Sequence, residues 1–122
     1  MSGRILIDTN ILIYLTKGDE GVIEFIQDKN ISISFITELE LLSFKNIKAD
    51  EELIIENILA QFNIFNFDEN LKRQIIFLRK KYNLKLPDTI ILATAIYYDI
   101  PFLTSDKKLN NMEEVDVILY NI

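Results

Sequence analysis

The sequence predicts an α/β fold of three layers, in which a parallel sheet is covered by helices on both faces. Short apolar runs of strand length alternate along the chain with longer segments whose apolar residues recur at helical spacing. Alternation of strands and helices predicts parallel strands with helices on both faces of the sheet. The connections between such strands are right-handed crossovers. Only three glycines and two prolines occur, without repeats or low-complexity stretches, so we expect one domain over residues 1–122.

The first half of this alternation is predicted from residue type. Residues 4–7 form an apolar run typical of a buried strand, and a short helix is predicted at 11–15. A second helix at 20–27 has its apolar residues on one side, and the β-branched residues of 31–35 favour a strand.

The later elements follow from helical periodicity and from the two prolines. Leucines and isoleucines recur every three or four residues, Pro87 with Asp88 marks a helix start, and Pro101 marks the turn into a strand. The predicted helices span 37–44, 50–62, 70–82 and 87–98, and the predicted strands span 64–67, 102–104 and 117–120.

Composition excludes several kinds of chemistry. The 122 residues contain no cysteine and no histidine, which excludes disulfides, thiol nucleophiles, imidazole bases and the usual zinc sites. Any catalysis must use carboxylates, hydroxyls, lysines or a metal. Polar residues 8–10 interrupt the N-terminal apolar stretch, so we expect no signal peptide, no membrane span and a cytoplasmic location.

The net charge of −6 is unevenly distributed. One segment without acidic residues carries six basic ones, which leaves the rest of the chain at −12. This segment is a candidate contact for a nucleic-acid backbone, although taken alone it is explained more simply as the solvated face of an amphipathic helix. Its basic residues are Lys72, Arg73, Arg79, Lys80, Lys81 and Lys85.

Three apolar runs end at an acidic residue followed by a helix-like segment, at Asp8, Asp88 and Asp106. If 5–7 and 102–104 are parallel strands, their carboxyl ends share one edge of the sheet, where open α/β folds bind ligands. With Glu40 added, four carboxylates would repel one another and attract a hard divalent cation such as Mg²⁺ or Mn²⁺.

Each acid also has a purely structural explanation. Asp8, Asp88 and Asp106 stand where helix caps are common, and Glu40 has the spacing of a capping box with Thr37. Helix geometry alone does not choose between Glu40 and its neighbour Glu38. At the same edge, Asn10 and Thr104 would add neutral oxygens that orient the carboxylates or contact substrate.

Four ordered motifs resemble those of PIN-domain ribonucleases, most closely the VapC-type toxins. They are Asp8-Thr9-Asn10, residues 36–41 (ITELEL), residues 86–95 (LPDTIILATA) and residues 103–106 (LTSD). The resemblance selects Glu40 over Glu38 and implies that Asp8, Glu40, Asp88 and Asp106 are catalytic residues that bind Mg²⁺ or Mn²⁺. It also implies a central parallel sheet of about five strands and an RNA substrate. Ser105 departs from the family pattern, since many relatives carry a basic residue there, which puts a phosphate contact in doubt.

The function implied by this resemblance is metal-dependent RNA hydrolysis by the toxin of a type II toxin–antitoxin pair, with a homodimer expected. The resemblance also implies a small antitoxin as partner. Region 39–62 offers a place for it, because it has more apolar residues than one inward stripe needs. Close burial in a small domain is the alternative explanation. The surplus residues are Leu41, Leu42, Phe44, Ile47, Ile54, Ile55, Ile58 and Phe62.

Other functions stay open at this point. A catalytically silent PIN-like binding module would have no need of a self-repelling acidic cluster. A housekeeping RNA-processing nuclease has the same residues as a toxin. A phosphate-switched receiver domain fits poorly, because Asp8 has no acidic neighbour at the end of the first strand.

Overall fold

The computed structural model describes residues 3–110 and 112–121, which form five strands and six α-helices. No helix within these residues is long and apolar enough to cross a membrane. In chain order the elements are β1 (Arg4–Ile7), α1 (Thr9–Thr16), α2 (Glu20–Ile26), β2 (Asn30–Ser34), α3 (Phe35–Leu42), α4 (Ala49–Leu59), β3 (Asn63–Phe65), α5 (Glu69–Lys81), α6 (Leu86–Tyr98), β4 (Phe102–Thr104) and β5 (Val117–Leu119).

All five strands pair in parallel in the order β3-β2-β1-β4-β5. Strands β2 and β3 follow one another on one side of β1. The chain then crosses to the other side of β1, where β4 and β5 lie. The order therefore reverses between β1 and β4, where Leu6 pairs with Phe102 and Ile7 with Leu103. In an open parallel sheet, such a reversal leaves a crevice beyond the carboxyl ends of the two strands.

Alternating side chains of β1 separate two hydrophobic clusters, one on each face of the sheet. Ile5 and Ile7 belong to the cluster that includes residues of α1, α2, α3 and α4. Leu6 lies in the other cluster, which α5 and α6 complete. This alternation is what a strand buried on both faces requires. The predicted three-layer α/β/α architecture with a parallel five-stranded sheet is confirmed.

Some predicted element boundaries are wrong because local caps start helices earlier than apolar spacing suggests. Helix α3 begins at Phe35, since the hydroxyl of Ser34 accepts a hydrogen bond from the backbone N–H of Ile36. Strand β3 ends at Phe65, because Asp68 caps the next helix and exposed Phe67 lies between them. Phe44 follows the end of α3 rather than lying within it, and its side chain is exposed.

Candidate active site

A cleft of 260 Å³ lies beyond the carboxyl end of β1 and is lined by Asp8, Glu40 and Asp88. The fourth predicted acid, Asp106, follows β4 and repels the carboxylates of both Asp8 and Asp88. The fold therefore brings together four acids separated by up to 98 positions in sequence. The cleft is completed by Thr9, Asn10, Ile13, Phe44 and Ile91.

Asp8 is held in place at both carboxylate oxygens. Its Oδ1 accepts a hydrogen bond from the backbone N–H of Ile11 at 2.9 Å, which caps α1, and its Oδ2 accepts one from the Thr104 hydroxyl at 2.5 Å. Burial raises the pKa of Asp8, and repulsion from Asp88 and Asp106 adds to this, while the two hydrogen bonds oppose it. The capping explanation is thus correct for Asp8.

Thr104 connects Asp8 to Asp106. Its buried hydroxyl donates to Asp8 and accepts from the backbone N–H of Asp106 at 3.0 Å. Asp106 in turn accepts from the backbone N–H of Lys108 at 3.0 Å and caps a short 3-10 turn, Lys107–Leu109. Thr104 therefore links the two acidic residues through its hydroxyl group.

Glu40 reaches the cleft from α3 and is oriented by Thr9. The Thr9 hydroxyl donates to Oε1 of Glu40 at 2.6 Å and lies 3.1 Å from the hydroxyl oxygen of Thr37. The capping-box explanation for Glu40 is wrong, because α3 begins two residues before Thr37 and is capped by Ser34. Glu38 is not among the residues that line the cleft.

Asp88 has no hydrogen-bond or ion-pair partner among residues 3–110 and 112–121 that explains its position. It lies in the first turn of α6, but the cap of this helix is Lys85, which makes no side-chain capping bond. In the described part of the chain, no donor forms a hydrogen bond with the Asp88 carboxylate. Burial raises its pKa first, followed by repulsion from Asp106 and Glu40, whereas the charges of Lys85 and Lys108 lower it.

The four acidic side chains offer the type of donor atom that a hard divalent cation prefers. All four side chains offer carboxylate oxygens, and Mg²⁺ is commonly held by one or two carboxylates together with waters and substrate phosphates. Within residues 3–110 and 112–121, no three acidic side chains lie close enough together, as they stand, to hold one metal ion. Sharing an ion would need these side chains to change rotamer, with waters and substrate oxygens as the remaining ligands.

The other predicted site residues are two neutral residues, Asn10 and Thr104, and six basic residues. Asn10 is exposed at the second position of α1 and lines the cleft, whereas Thr104 is buried and reaches the site through its hydrogen bond to Asp8. Of the six basic residues, five lie on α5, where Lys72 pairs with Glu69 at 3.2 Å and Lys81 with Glu114 at 2.6 Å. The sixth, Lys85, lies beside the cleft rather than on the helix.

Sequence reasoning missed two residues at this site. Thr9 was treated only as part of a motif, yet its hydroxyl holds Glu40. Lys108 was not singled out, although its charge acts on Asp88. Thr9 had a positional signal, because it directly follows Asp8, whereas no local pattern marks Lys108.

An apolar groove of 750 Å³ adjoins the acidic cleft and shares Ile13 and Phe44 with it. Helices α1, α3 and α4 and the loop after α3 form its walls. Ile54 and Phe44 expose about half of their side-chain surface there, at 53% and 54%. Five of the eight predicted surplus residues line it: Leu41, Phe44, Ile47, Ile54 and Ile55.

The chain is similar to known proteins in both sequence and fold. A family model described as PIN domain matches residues 5–115. A search of curated proteins finds no match.

Among solved structures, a toxin–antitoxin complex from Klebsiella pneumoniae contains a chain 33% identical to this one, with a TM-score of 0.85 over 97% of this chain and 99% of that chain. VapBC2 from Rickettsia felis, bound to a promoter DNA fragment, has 19% identity and a TM-score of 0.85 over 97% and 99%. VapBC-1 from nontypeable Haemophilus influenzae has 22% identity and a TM-score of 0.79 over 95% and 97%.

Proposed function

This chain belongs to the PIN-domain family, and we propose that it is a metal-dependent ribonuclease that acts in the cytoplasm as the toxin of a toxin–antitoxin pair. The resemblance to VapC-type PIN domains drawn from the sequence motifs is confirmed at the level of family and fold. The catalytic role, the metal and the RNA substrate rest on the arguments that follow.

The observation that carries the proposal is the convergence of four carboxylates at the sheet reversal. Capping accounts for Asp8 and Asp106, but Glu40 and Asp88 have no such explanation. Burial and mutual repulsion both raise the pKa of Asp88, so the fold maintains an unfavourable arrangement of charge. Such an arrangement is typical of a functional site rather than of a structural one.

The chemistry proposed is hydrolysis of a phosphodiester bond. The oxygen of a water molecule bonds to phosphorus, the bond to the leaving oxygen breaks, and the leaving oxygen gains a proton. Asp8, Glu40 and Asp88, with Asp106 nearby, would hold a divalent ion, which would supply activation of the water and neutralisation of developing negative charge. The Thr104 hydroxyl keeps Asp8 in position, and the Thr9 hydroxyl does the same for Glu40.

Single-stranded or looped RNA is the proposed substrate, because its phosphates and bases are accessible to an open cleft. Arg73, Arg79 and Lys80 of α5 form no ion pair within the described residues, and they are exposed and available to more distant phosphates. Their contribution would be electrostatic and independent of sequence.

The test is cleavage of a labelled RNA pool by purified protein with Mg²⁺, Mn²⁺ or EDTA. We expect cleavage with either ion, none in EDTA, and none in Asp8→Asn or Asp88→Asn. Asp116→Asn, an exposed acid before β5, is the matched control and should retain activity. Metal-dependent cleavage that survives in both cleft variants would contradict the assignment. A stable fold without any cleavage would favour the silent binding module.

The groove beside the cleft is proposed as the antitoxin site. Most of its surface is apolar, with Lys17, Lys45 and Glu51 among the residues that line it, and a peptide seated there would reach the acids past Ile13 and Phe44. Two of the similar structures are VapBC complexes and one is described as a toxin–antitoxin complex. An antitoxin segment bound in this groove would cover the approach to the cleft.

Co-purification tests this groove, with the protein encoded by a short neighbouring reading frame as the partner. Ile54→Arg should abolish co-purification, because it puts a charge on the groove wall. Leu53→Arg is the matched control, since Leu53 is 58% exposed but does not line the groove. Equal retention by both variants would place the partner elsewhere, and no such reading frame would favour a housekeeping nuclease. A homodimer is also proposed, and sedimentation of the purified protein measures it.

A further inference from the structure

Two lysines lie near Asp88, and neither forms an ion pair in the part of the chain that the structure describes. Lys85 immediately precedes α6, and Lys108 lies in the 3-10 turn after β4. The charges of both act on Asp88. Within the described residues, neither ammonium group lies within ion-pairing distance of a carboxylate, although Lys72 and Lys81 of α5 are both paired.

The backbone fixes both lysines relative to the acids. The backbone N–H of Lys108 donates to Asp106, whose own N–H donates to Thr104. The carbonyl of Lys85 accepts from both the backbone N–H and the hydroxyl of buried Thr89, at 3.0 and 2.8 Å. These hydrogen bonds fix the backbone position of each lysine. Both side chains are exposed, so their ammonium groups can reach a ligand above the cleft.

We infer that Lys85 and Lys108 contact the non-bridging oxygens of the phosphate that is cleaved, an inference that rests on the proposed function. An unpaired ammonium group beside a cluster of carboxylates is suited to a phosphate held by the same carboxylates through a cation. The two lysines come from different elements, so together they would define where the phosphate sits relative to Asp88. The paired lysines of α5 have no comparable position.

Lys107 provides a matched control. It is exposed, carries the same charge and adjoins Lys108 in the same turn. Successive residues of a 3-10 turn are separated by about 120°, so its side chain leaves the turn in a different direction. Removing Lys107 changes the net charge by the same amount as removing Lys108.

The experiment measures kcat and KM for a short labelled RNA with saturating Mn²⁺, at several pH values between about 6.5 and 8.5. We expect Lys85→Ala and Lys108→Ala each to lower kcat about tenfold with little change in KM, since a charged contact to the reacting phosphate strengthens in the transition state. Lys107→Ala should stay within about twofold of the wild-type protein, as expected for a charge outside the site. A Lys108→Ala variant indistinguishable from Lys107→Ala would overturn the inference.

The pH series separates a phosphate contact from an indirect effect on Asp88. If the lysines served only to keep Asp88 ionised, the activity of Lys85→Ala and Lys108→Ala would recover fully at the highest pH. That recovery would also overturn the inference. Loss that persists at every pH supports it.

Binding measured without cleavage keeps this inference distinct from the nuclease proposal. Fluorescence anisotropy with the same RNA and Ca²⁺ gives the dependence of affinity on salt. Each lysine that contacts a phosphate should reduce the salt slope by about 0.7 when replaced by alanine. Unchanged slopes in both variants would overturn the inference even if the wild-type protein cleaves RNA, whereas reduced slopes without cleavage would contradict the nuclease proposal alone.

Discussion

Replacing Asp88 with asparagine should make the protein more stable while abolishing its activity. Asp88 accepts no hydrogen bond within the described residues, so the amide of asparagine removes a charge without breaking a contact. The pKa of Asp88 is raised by burial and by two neighbouring carboxylates, which means that its ionised form opposes folding. Stabilisation by loss of a site residue would identify the cluster as functional.

The expected gain in unfolding free energy follows from the charges around Asp88. A pair of unit charges about 6 Å apart contributes about 0.7 kcal/mol in water and about 2.8 kcal/mol at an effective dielectric of about 20. Repulsion from Asp106 and Glu40 is partly offset by Lys85 and Lys108, which leaves burial as the largest effect. We expect Asp88→Asn to gain about 1 kcal/mol, or about 4 °C in Tm.

The gain should depend on pH in a defined direction. Above its raised pKa, Asp88 is ionised in the folded protein and opposes folding. As the pH falls through that pKa the carboxyl becomes protonated, and the advantage of the variant shrinks until it disappears near 3.8, the ordinary pKa of an aspartate. The difference between variant and wild type is therefore greatest near neutral pH.

Thermal unfolding with EDTA and with Mn²⁺ is the assay. In EDTA, Asp88→Asn should melt above the wild-type protein. With Mn²⁺ at about ten times its Kd, the wild-type protein gains about 1.4 kcal/mol and the order reverses. Asp116→Asn, remote from the cleft, should behave like the wild-type protein in both. A variant less stable than wild type in EDTA, or equal stabilisation of both by Mn²⁺, would show that Asp88 is not a strained metal ligand.

Three further predictions concern the groups that hold the acids. Thr104→Val should lower the unfolding free energy, measured by urea denaturation, by about 2 kcal/mol. The substitution removes the hydroxyl that donates to Asp8 and accepts from the Asp106 N–H. Equal stability of variant and wild type would contradict these hydrogen bonds. Thr9→Val should weaken Mn²⁺ binding about tenfold in calorimetry. The reason is that Glu40 loses its only hydrogen-bond donor within the described residues. An unchanged Kd would show that Thr9 does not position a metal ligand. The affinity for Mn²⁺ should fall as the pH decreases through the raised pKa values of Asp8 and Asp88, whereas a constant Kd between about pH 5 and 8 would contradict their role as ligands.

Much of the fold was predictable from the sequence because its signals are local. Apolar runs the length of strands, helical periodicity and prolines defined the elements, and alternation of strands and helices implied the parallel sheet. The acids at strand ends followed from the same pattern, since parallel strands direct their carboxyl ends to one edge. The boundaries that failed depend on single caps, such as Ser34, whose hydrogen bond competes with apolar spacing.

The choice between Glu38 and Glu40 was not predictable from helix geometry, because both lie near the border of the same apolar stripe. The structure separates them through a contact between distant segments, in which Thr9 after β1 donates to Glu40 on α3. Lys108 was missed for a related reason. Its proximity to Asp88 depends on how β4 and α6 pack, and no local pattern encodes that distance.

The most direct test of the metal site is a calorimetric titration of Mn²⁺ into the wild-type protein, Glu40→Gln and Glu38→Gln. The two variants lose the same charge from the same helix, but only Glu40 lines the cleft with Asp8 and Asp88. Saturable binding that is lost or greatly weakened in Glu40→Gln and retained in Glu38→Gln is the expected result. Equal binding by both variants, or no binding by the wild-type protein, would contradict the claim that these carboxylates form a metal site.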